Sequence, residues 1–113
     1  ERSDSLMMND ARLAETVRRL VQALQPERIV LLGSRARGEV DEESDLDLLV
    51  LQRTDARRIE REWAAEEALG WDRPLATDVM VLTPEEYDRG LARGDPILRE
   101  IEEEGVSVYE RAG

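Results

Sequence analysis

The sequence predicts an α/β (α+β) chain, a small mixed β-sheet flanked by helices, and three observations carry that expectation. Residues 29–32 (Ile-Val-Leu-Leu) and 48–51 (Leu-Leu-Val-Leu) are continuous apolar runs, the pattern of strands buried on both faces. Stretches with apolar residues at helical spacing alternate with them. The connections that contain those stretches are long enough to join parallel strands, while the first two strands can pair either way.

The elements follow in order. Residues 9–24 read as a helix, because Leu13, Val17, Leu20, Val21 and Leu24 recur at helical spacing with charges between them. Asn9 or Asp10 can cap its start, and Pro26 ends it. Residues 28–32 form the first strand, and residues 34–38 fit a short helical turn after Gly33. Residues 40–44 are a polar, acidic loop, and residues 45–51 form the second strand. Residues 56–69 read as a helix capped by Thr54 or Asp55, with Ile59 and Trp63 together on its core face and Gly70 and Pro74 at its exit. Residues 75–82 form a third strand with Asp78 in its middle. Thr83 caps the next helix, Pro84 takes its first position, and Glu85 and Glu86 sit in its first turn. Gly90 and Gly94 bound its end. Residues 96–104 form a last helix with Ile97, Leu98 and Ile101 inward, and residues 106–108 a short final strand. Residues 9–110 are expected to form one domain and residues 1–8 a mobile tail, with Met7 or Met8 the natural start.

Composition narrows the chemistry. The chain of 113 residues carries 27 acids against 16 bases, a net charge of −11. Such a surface repels nucleic-acid backbones and anionic membranes, so neither is expected as a direct partner. Cysteine and histidine are both absent. That excludes disulfides, thiolate metal sites, His-ligated zinc and His-based proton transfer. Only oxygen ligands are on offer, which favours magnesium, manganese or calcium. No run is long enough to cross a bilayer and no signal-peptide pattern is present. A cytoplasmic location is the expectation.

The chemistry concentrates in two neighbouring motifs, Gly33-Ser34-Arg35-Ala36-Arg37-Gly38 and Ser44-Asp45-Leu46-Asp47-Leu48. Gly33 ends a buried strand, where a missing Cβ lets the backbone bend and lets phosphate come close. Ser34 adds a hydroxyl donor, and free N–H groups at a helical start would point at the anion. Arg35 and Arg37 could neutralise a triphosphate. The same residues also fit an ordinary strand-to-helix turn with solvated arginines. Asp45 and Asp47 stand one residue apart on a strand, so alternation puts both carboxylates on one face, about 7 Å apart at Cα. Leu46 and Leu48 then point into the core. Two divalent ions about 3.5–4 Å apart would neutralise the carboxylates and suit phosphoryl transfer; a solvent-facing strand edge fits them too. Asp78 interrupts an apolar strand, where aspartate is unfavourable. It is a candidate third ligand, because local misfits often mark functional sites; a place near the strand's exposed end fits it too.

Together Gly33-Ser34, Ala36-Arg37-Gly38, Asp45-Leu46-Asp47 and Asp78 resemble the signature of the polymerase-beta-like nucleotidyltransferase superfamily. The short chain and the Gly-Ser-x-Ala-Arg-Gly form look most like the minimal nucleotidyltransferases, the antitoxin partners of HEPN/MNT toxin–antitoxin modules. The resemblance implies the mixed sheet of that superfamily. It implies magnesium, two ions, on Asp45, Asp47 and Asp78 as catalytic carboxylates, and the β- and γ-phosphates of ATP at Gly33 and Ser34. It also implies transfer of AMP to a tyrosine hydroxyl on a partner HEPN ribonuclease toxin. Two alternatives stay open: a binding module that neutralises its partner by complex formation, and an antibiotic-type enzyme acting on a small molecule. An oligomer is also compatible with the sequence.

The remaining large residues read as packing. Trp63 with Ile59 is expected in the core, and Tyr87 with Leu91 as a packed pair one turn apart. Trp71, after Gly70, suits a partner contact or a lid over the helix end. Glu102, Glu103 and Glu104 suit a solvated helix end and suggest no function.

Overall fold

A computed structural model describes residues 11–33 and 45–112. Along the chain run α1 (Ala11–Leu24), β1 (Arg28–Leu32), β2 (Leu46–Leu51), α2 (Arg58–Leu69), β3 (Thr77–Leu82), α3 (Pro84–Ala92), α4 (Pro96–Glu104) and β4 (Val106–Glu110). The strands form one mixed sheet in the order β3-β2-β1-β4. β1 is antiparallel to both β2 and β4, whereas β2 and β3 are parallel and joined through α2. The open question of the first two strands is thus answered in favour of antiparallel pairing. Among the described residues, expected and observed elements agree in type and order, with ends differing by one or two residues, while the expected 34–38 turn, the 40–44 loop, the cap at Asn9 or Asp10 and the 1–8 tail lie outside the described residues.

Alternation along the strands splits the apolar residues into two cores. Ile29, Leu31, Leu46, Leu48, Val50 and Val81 face one side and pack under α1 and α2. Val30, Leu49, Leu51 and Leu82 face the other and pack against Tyr87, Leu98 and Ile101 of α3 and α4. The sheet is therefore the middle of three layers. That explains why β1 and β2 are apolar at nearly every position. α1 stops where Gln25 turns to φ 50, just before Pro26, whose ring disfavours a helical residue ahead of it. Among the described residues, no helix is long and apolar enough to cross a membrane.

Capping explains three helix starts. Thr83 Oγ1 accepts from the Glu86 N–H at 3.1 Å, and Glu86 Oε1 accepts from the Thr83 N–H at 2.9 Å, with Pro84 opening α3 as the sequence predicts. α4 is capped by Asp95, whose carboxylate accepts from the Ile97 and Leu98 N–H groups. α2 begins at Arg58 instead of residue 56. Thr54 accepts from the Ala56 N–H ahead of it, and Glu60 reaches back to the Arg57 N–H at 3.0 Å.

Two core assignments are corrected. Ile97 is 56% exposed, because Leu98 and Ile101 alone make the inward stripe of α4. Ile59 and Trp63 are 44% and 63% exposed, because Arg61, Ala65 and Leu69 take the inward positions of α2. Tyr87 is buried as expected. Its hydroxyl donates to Glu102 Oε1 at 2.5 Å, so one of the three terminal glutamates ties α4 to α3. Burial, and then that contact, push the Tyr87 phenol well above its ordinary value.

Arg61 is the buried charge among the described residues. Its guanidinium makes two bonds to Glu86, at 2.7 and 3.2 Å, and donates to the Ala56 carbonyl at 2.8 Å. It thereby joins α2 to α3 across the edge of β3. Arg61 holds the Glu86 carboxyl below its ordinary range, against an opposing effect of burial. A carboxyl lowered in the folded state stabilises above its unfolded pKa and loses that contribution as pH falls through the folded value. Arg61→Met should therefore cost about 2–3 kcal/mol at neutral pH. Urea titrations should show wild type and variant converging on acidification below the ordinary carboxylate range.

Candidate active site

The sheet brings the predicted carboxylates together. In the parallel register of β2 and β3, Asp47 lies directly opposite Asp78. In the antiparallel register of β1 and β2, Asp47 lies opposite Leu32, the last residue before Gly33. Asp47 and Asp78 alternate with the buried Leu46, Leu48, Thr77 and Val81, so both side chains leave the same face of the sheet. Leu46 and Leu48 point into the core as predicted, with at most 1% exposure. Asp45 is exposed and stands one residue ahead of β2 instead of within it. It is still close enough for its charge to act on Asp47.

Gly33 adopts φ +78, a left-handed conformation that favours glycine. A Cβ there would sit 3.1 Å from Asp47 Oδ2. The glycine thus lets the chain turn at the end of β1 and leaves room for the Asp47 carboxylate beside that turn. Ser34, Arg35 and Arg37 lie outside the described residues.

The electrostatics of Asp47 set it apart. Partial burial, then the charge of Asp78, then that of Asp45 all raise its pKa. Three acids on adjoining backbone disfavour ionisation of the one that is least solvated. Among the described residues, no three carboxylates are gathered into a finished metal cage. The donor chemistry nevertheless fits a hard divalent cation, since it is all oxygen and its mutual repulsion is what a cation would relieve.

A cavity of about 520 Å³ opens beside the carboxylates. Asp47, Asp78 and Met80 line it from the sheet, and Ile59, Glu62 and Trp63 line it from α2. Ile59 and Trp63, expected in the core from the sequence, thus line the cavity instead. A second cavity of about 330 Å³ lies along β3 and α3, with Arg89 and Arg93 at its lining. Trp71 is 96% exposed and lines neither.

A strand-end glycine turn, a carboxylate pair in register and an adjacent cavity, on a mixed sheet between helix layers, define a nucleotide-handling transferase. Comparison with known proteins agrees. The nucleotidyltransferase domain family matches residues 11–108, nearly the whole described chain, so the protein belongs to that family and nucleotidyl transfer is its general reaction class. The 1.40 Å crystal structure of an inferred nucleotidyltransferase from Sulfolobus solfataricus superposes with a TM-score of 0.61. The two are 21% identical over 98% of this chain and 89% of that one, a likeness in fold. No curated protein matches the chain at a significant level.

Removing one member of the like-charge group should stabilise the fold. Asp47→Asn should raise unfolding stability by about 0.5–1 kcal/mol, measured by thermal or urea denaturation without metal. A loss of stability would show that Asp47 is compensated within the folded chain.

Proposed function

We propose that this chain is a magnesium-dependent minimal nucleotidyltransferase that moves AMP from ATP onto a tyrosine hydroxyl of a partner HEPN-type toxin, and so acts as an antitoxin. The observation that carries the reading is the in-register pair Asp47 and Asp78 beside the Gly33 turn, in a chain of the nucleotidyltransferase domain family. The absence of histidine and cysteine leaves carboxylates as the groups able to hold metal and manage a proton.

Each residue has a role in that reaction. Gly33 and Ser34 hold the β- and γ-phosphates, and Arg35 and Arg37 offset the charge of the departing pyrophosphate. Asp45, Asp47 and Asp78 would hold two magnesium ions, which when bound supply charge stabilisation to the phosphoryl oxygens. The acceptor oxygen bonds to the α-phosphorus as the bond from that phosphorus to its bridging oxygen breaks. Pyrophosphate leaves with that electron pair, and the hydroxyl proton passes to solvent by way of Asp78. Most of the protein's contribution is alignment of the three reacting groups, since the chemistry itself needs little covalent help.

The test is transfer of label from α-labelled ATP, with magnesium, to the co-expressed partner, read by autoradiography and by mass spectrometry. Asp47→Asn should lower labelling by at least about 100-fold, the loss associated with disturbing a metal site. Equal labelling by wild type and variant would refute the assignment. A partner still silenced, unlabelled, by the Asp45→Asn/Asp47→Asn double variant would identify the protein as a binding module instead.

A further inference from the structure

Three arginines differ from most of the others in the described chain, because no acid answers them. Arg18 and Arg19 pair with Glu15, Arg53 with Glu27 and Glu85, Arg61 with Glu86, and Arg73 with Glu66. Arg58, Arg89 and Arg93 form no ion pair among the described residues, although acids outnumber bases 27 to 16 in the chain. All three are exposed, and all three line the cavity of about 330 Å³.

Two acids also line that cavity, and both are already engaged. Glu86 accepts from the Arg61 guanidinium and from the Thr83 N–H. Asp95 accepts from the Ile97 and Leu98 N–H groups at the start of α4. Arg58 is close enough to act on Glu86 by its charge, but no bond joins them. The cavity therefore keeps a positive excess in a chain whose net charge is −11.

Helix electrostatics do not account for the cluster. Arg89 and Arg93 stand one turn apart at the C-terminal end of α3, where a single cation suits the helix dipole but neighbouring cations repel. Arg58 is the first residue of α2, the end of a helix at which a cation is unfavourable. Alternation along β3 then places the cavity. Asp78, Met80 and Leu82 leave one face of the sheet; Leu82 packs with Tyr87 and Leu98, and Met80 lines the cavity. The cavity thus opens on the face that carries Asp47 and Asp78, starting two residues, about 7 Å, along the strand from Asp78. β3 is an edge of the sheet, so another chain can reach it.

We propose that this cavity is a docking site for an acidic segment of a protein partner, an extended stretch with glutamate or aspartate at alternate positions. The docking needs neither metal nor nucleotide, so it stands apart from the transfer reaction. Side chains on one side of an extended segment recur about every 7 Å. Arginines one helical turn apart stand about 6 Å from each other, which lets successive acids meet Arg89 and Arg93. Met80, Ile97 and Leu98 line the same cavity and offer apolar surface to the glutamate stems. Elsewhere the acid-rich surface repels such a segment, which confines it to the arginines.

Phosphate ligands fit less well. Phosphate sites use free backbone N–H groups at a helix start, and at α4 the Asp95 carboxylate occupies them. A nucleic-acid backbone would carry its continuous charge beyond the three arginines onto an acidic surface.

The probe is a fluorescein-labelled peptide of alternating glutamate and alanine, titrated with the full chain and read by fluorescence anisotropy. It should bind, and the same peptide with glutamine for glutamate should not. Arg58→Gln and the double variant Arg89→Gln/Arg93→Gln should each weaken binding at least about tenfold, the loss of one charge-assisted bond. Arg99→Gln, at an exposed position of α4 outside the cavity, should leave binding unchanged. All four positions are exposed, and thermal unfolding should show the fold intact in each variant. In 15N NMR the Nε–H resonances of Arg58, Arg89 and Arg93 should move with the glutamate peptide and stay in place with inorganic pyrophosphate. Shifts with pyrophosphate as large as those with the peptide would make the cavity a phosphate site and overturn the proposal. Tighter binding of oligouridylate, lost in the same variants, would assign it to nucleic acid instead. An equal loss in Arg99→Gln would reduce the effect to net charge, and no binding of the glutamate peptide would also overturn it. None of these readouts involves ATP or magnesium, so labelling of the partner stands or fails separately.

Discussion

β2 is held on four sides at once, and the position of the candidate site follows from that. It pairs with β1 on one edge and β3 on the other, and its side chains are buried in both layers. A slip of one residue would exchange its faces. Asp47 would then enter the core beneath α1 and α2, while Leu46 and Leu48 would move to the face covered by α3 and α4. Burying an unpaired carboxylate costs several kcal/mol, so the register has little freedom. That register sets Asp47 opposite Asp78 and opposite the residue before Gly33. The arrangement of the carboxylates beside the Gly33 turn is in this sense a by-product of how the core packs.

The same arrangement works against stability. Asp45, Asp47 and Asp78 repel one another, and partial burial of Asp47 adds to the cost. The protein offsets this away from the sheet's carboxylate end. The second core under α3 and α4, the Thr83–Glu86 capping box and the Arg61–Glu86 pair all lock the edge strand β3, which carries Asp78. Glu86 serves two of these devices at once, closing the cap of α3 and binding the arginine of α2. A strained site can persist where the elements that carry it are fixed independently.

How much of this was legible depended on how local each signal was. The strands show in residues 29–32 and 48–51 because only two-sided burial makes every position apolar. α3 shows because Thr83, Pro84 and Glu86 are a self-contained cap. Asp78 shows because aspartate inside an apolar strand needs a cause. The pairing of β1 with β2 was not legible, since nothing within either strand fixes its partner's direction. The core placement of Ile59 and Trp63 failed for a different reason. α2 has few apolar residues, and its inward stripe is built from Arg61, Ala65 and Leu69, of which one is charged and one is small. The largest hydrophobic residues therefore pointed to the wrong face. Only the burial of the Arg61 guanidinium against Glu86, a contact between residues far apart in sequence, reveals how the helix is rotated.

The rotation of α2 decides which side chains line the cavity. α1 and α4 turn their large apolar residues into one core or the other, leaving only Ile97 of α4 prominently outside. α2 differs, since it spends a buried arginine on the inside and leaves a tryptophan and an isoleucine outside, where they line the cavity shared with Asp47 and Asp78. Had hydrophobic burial alone decided, rotating the helix to bury those two side chains would gain about 1.5–3 kcal/mol for each. The Arg61–Glu86 bonds and the tie to the Ala56 carbonyl oppose that rotation. An ion pair in the fold thus holds Ile59 and Trp63 open to solvent beside the cavity that Asp47 and Asp78 line.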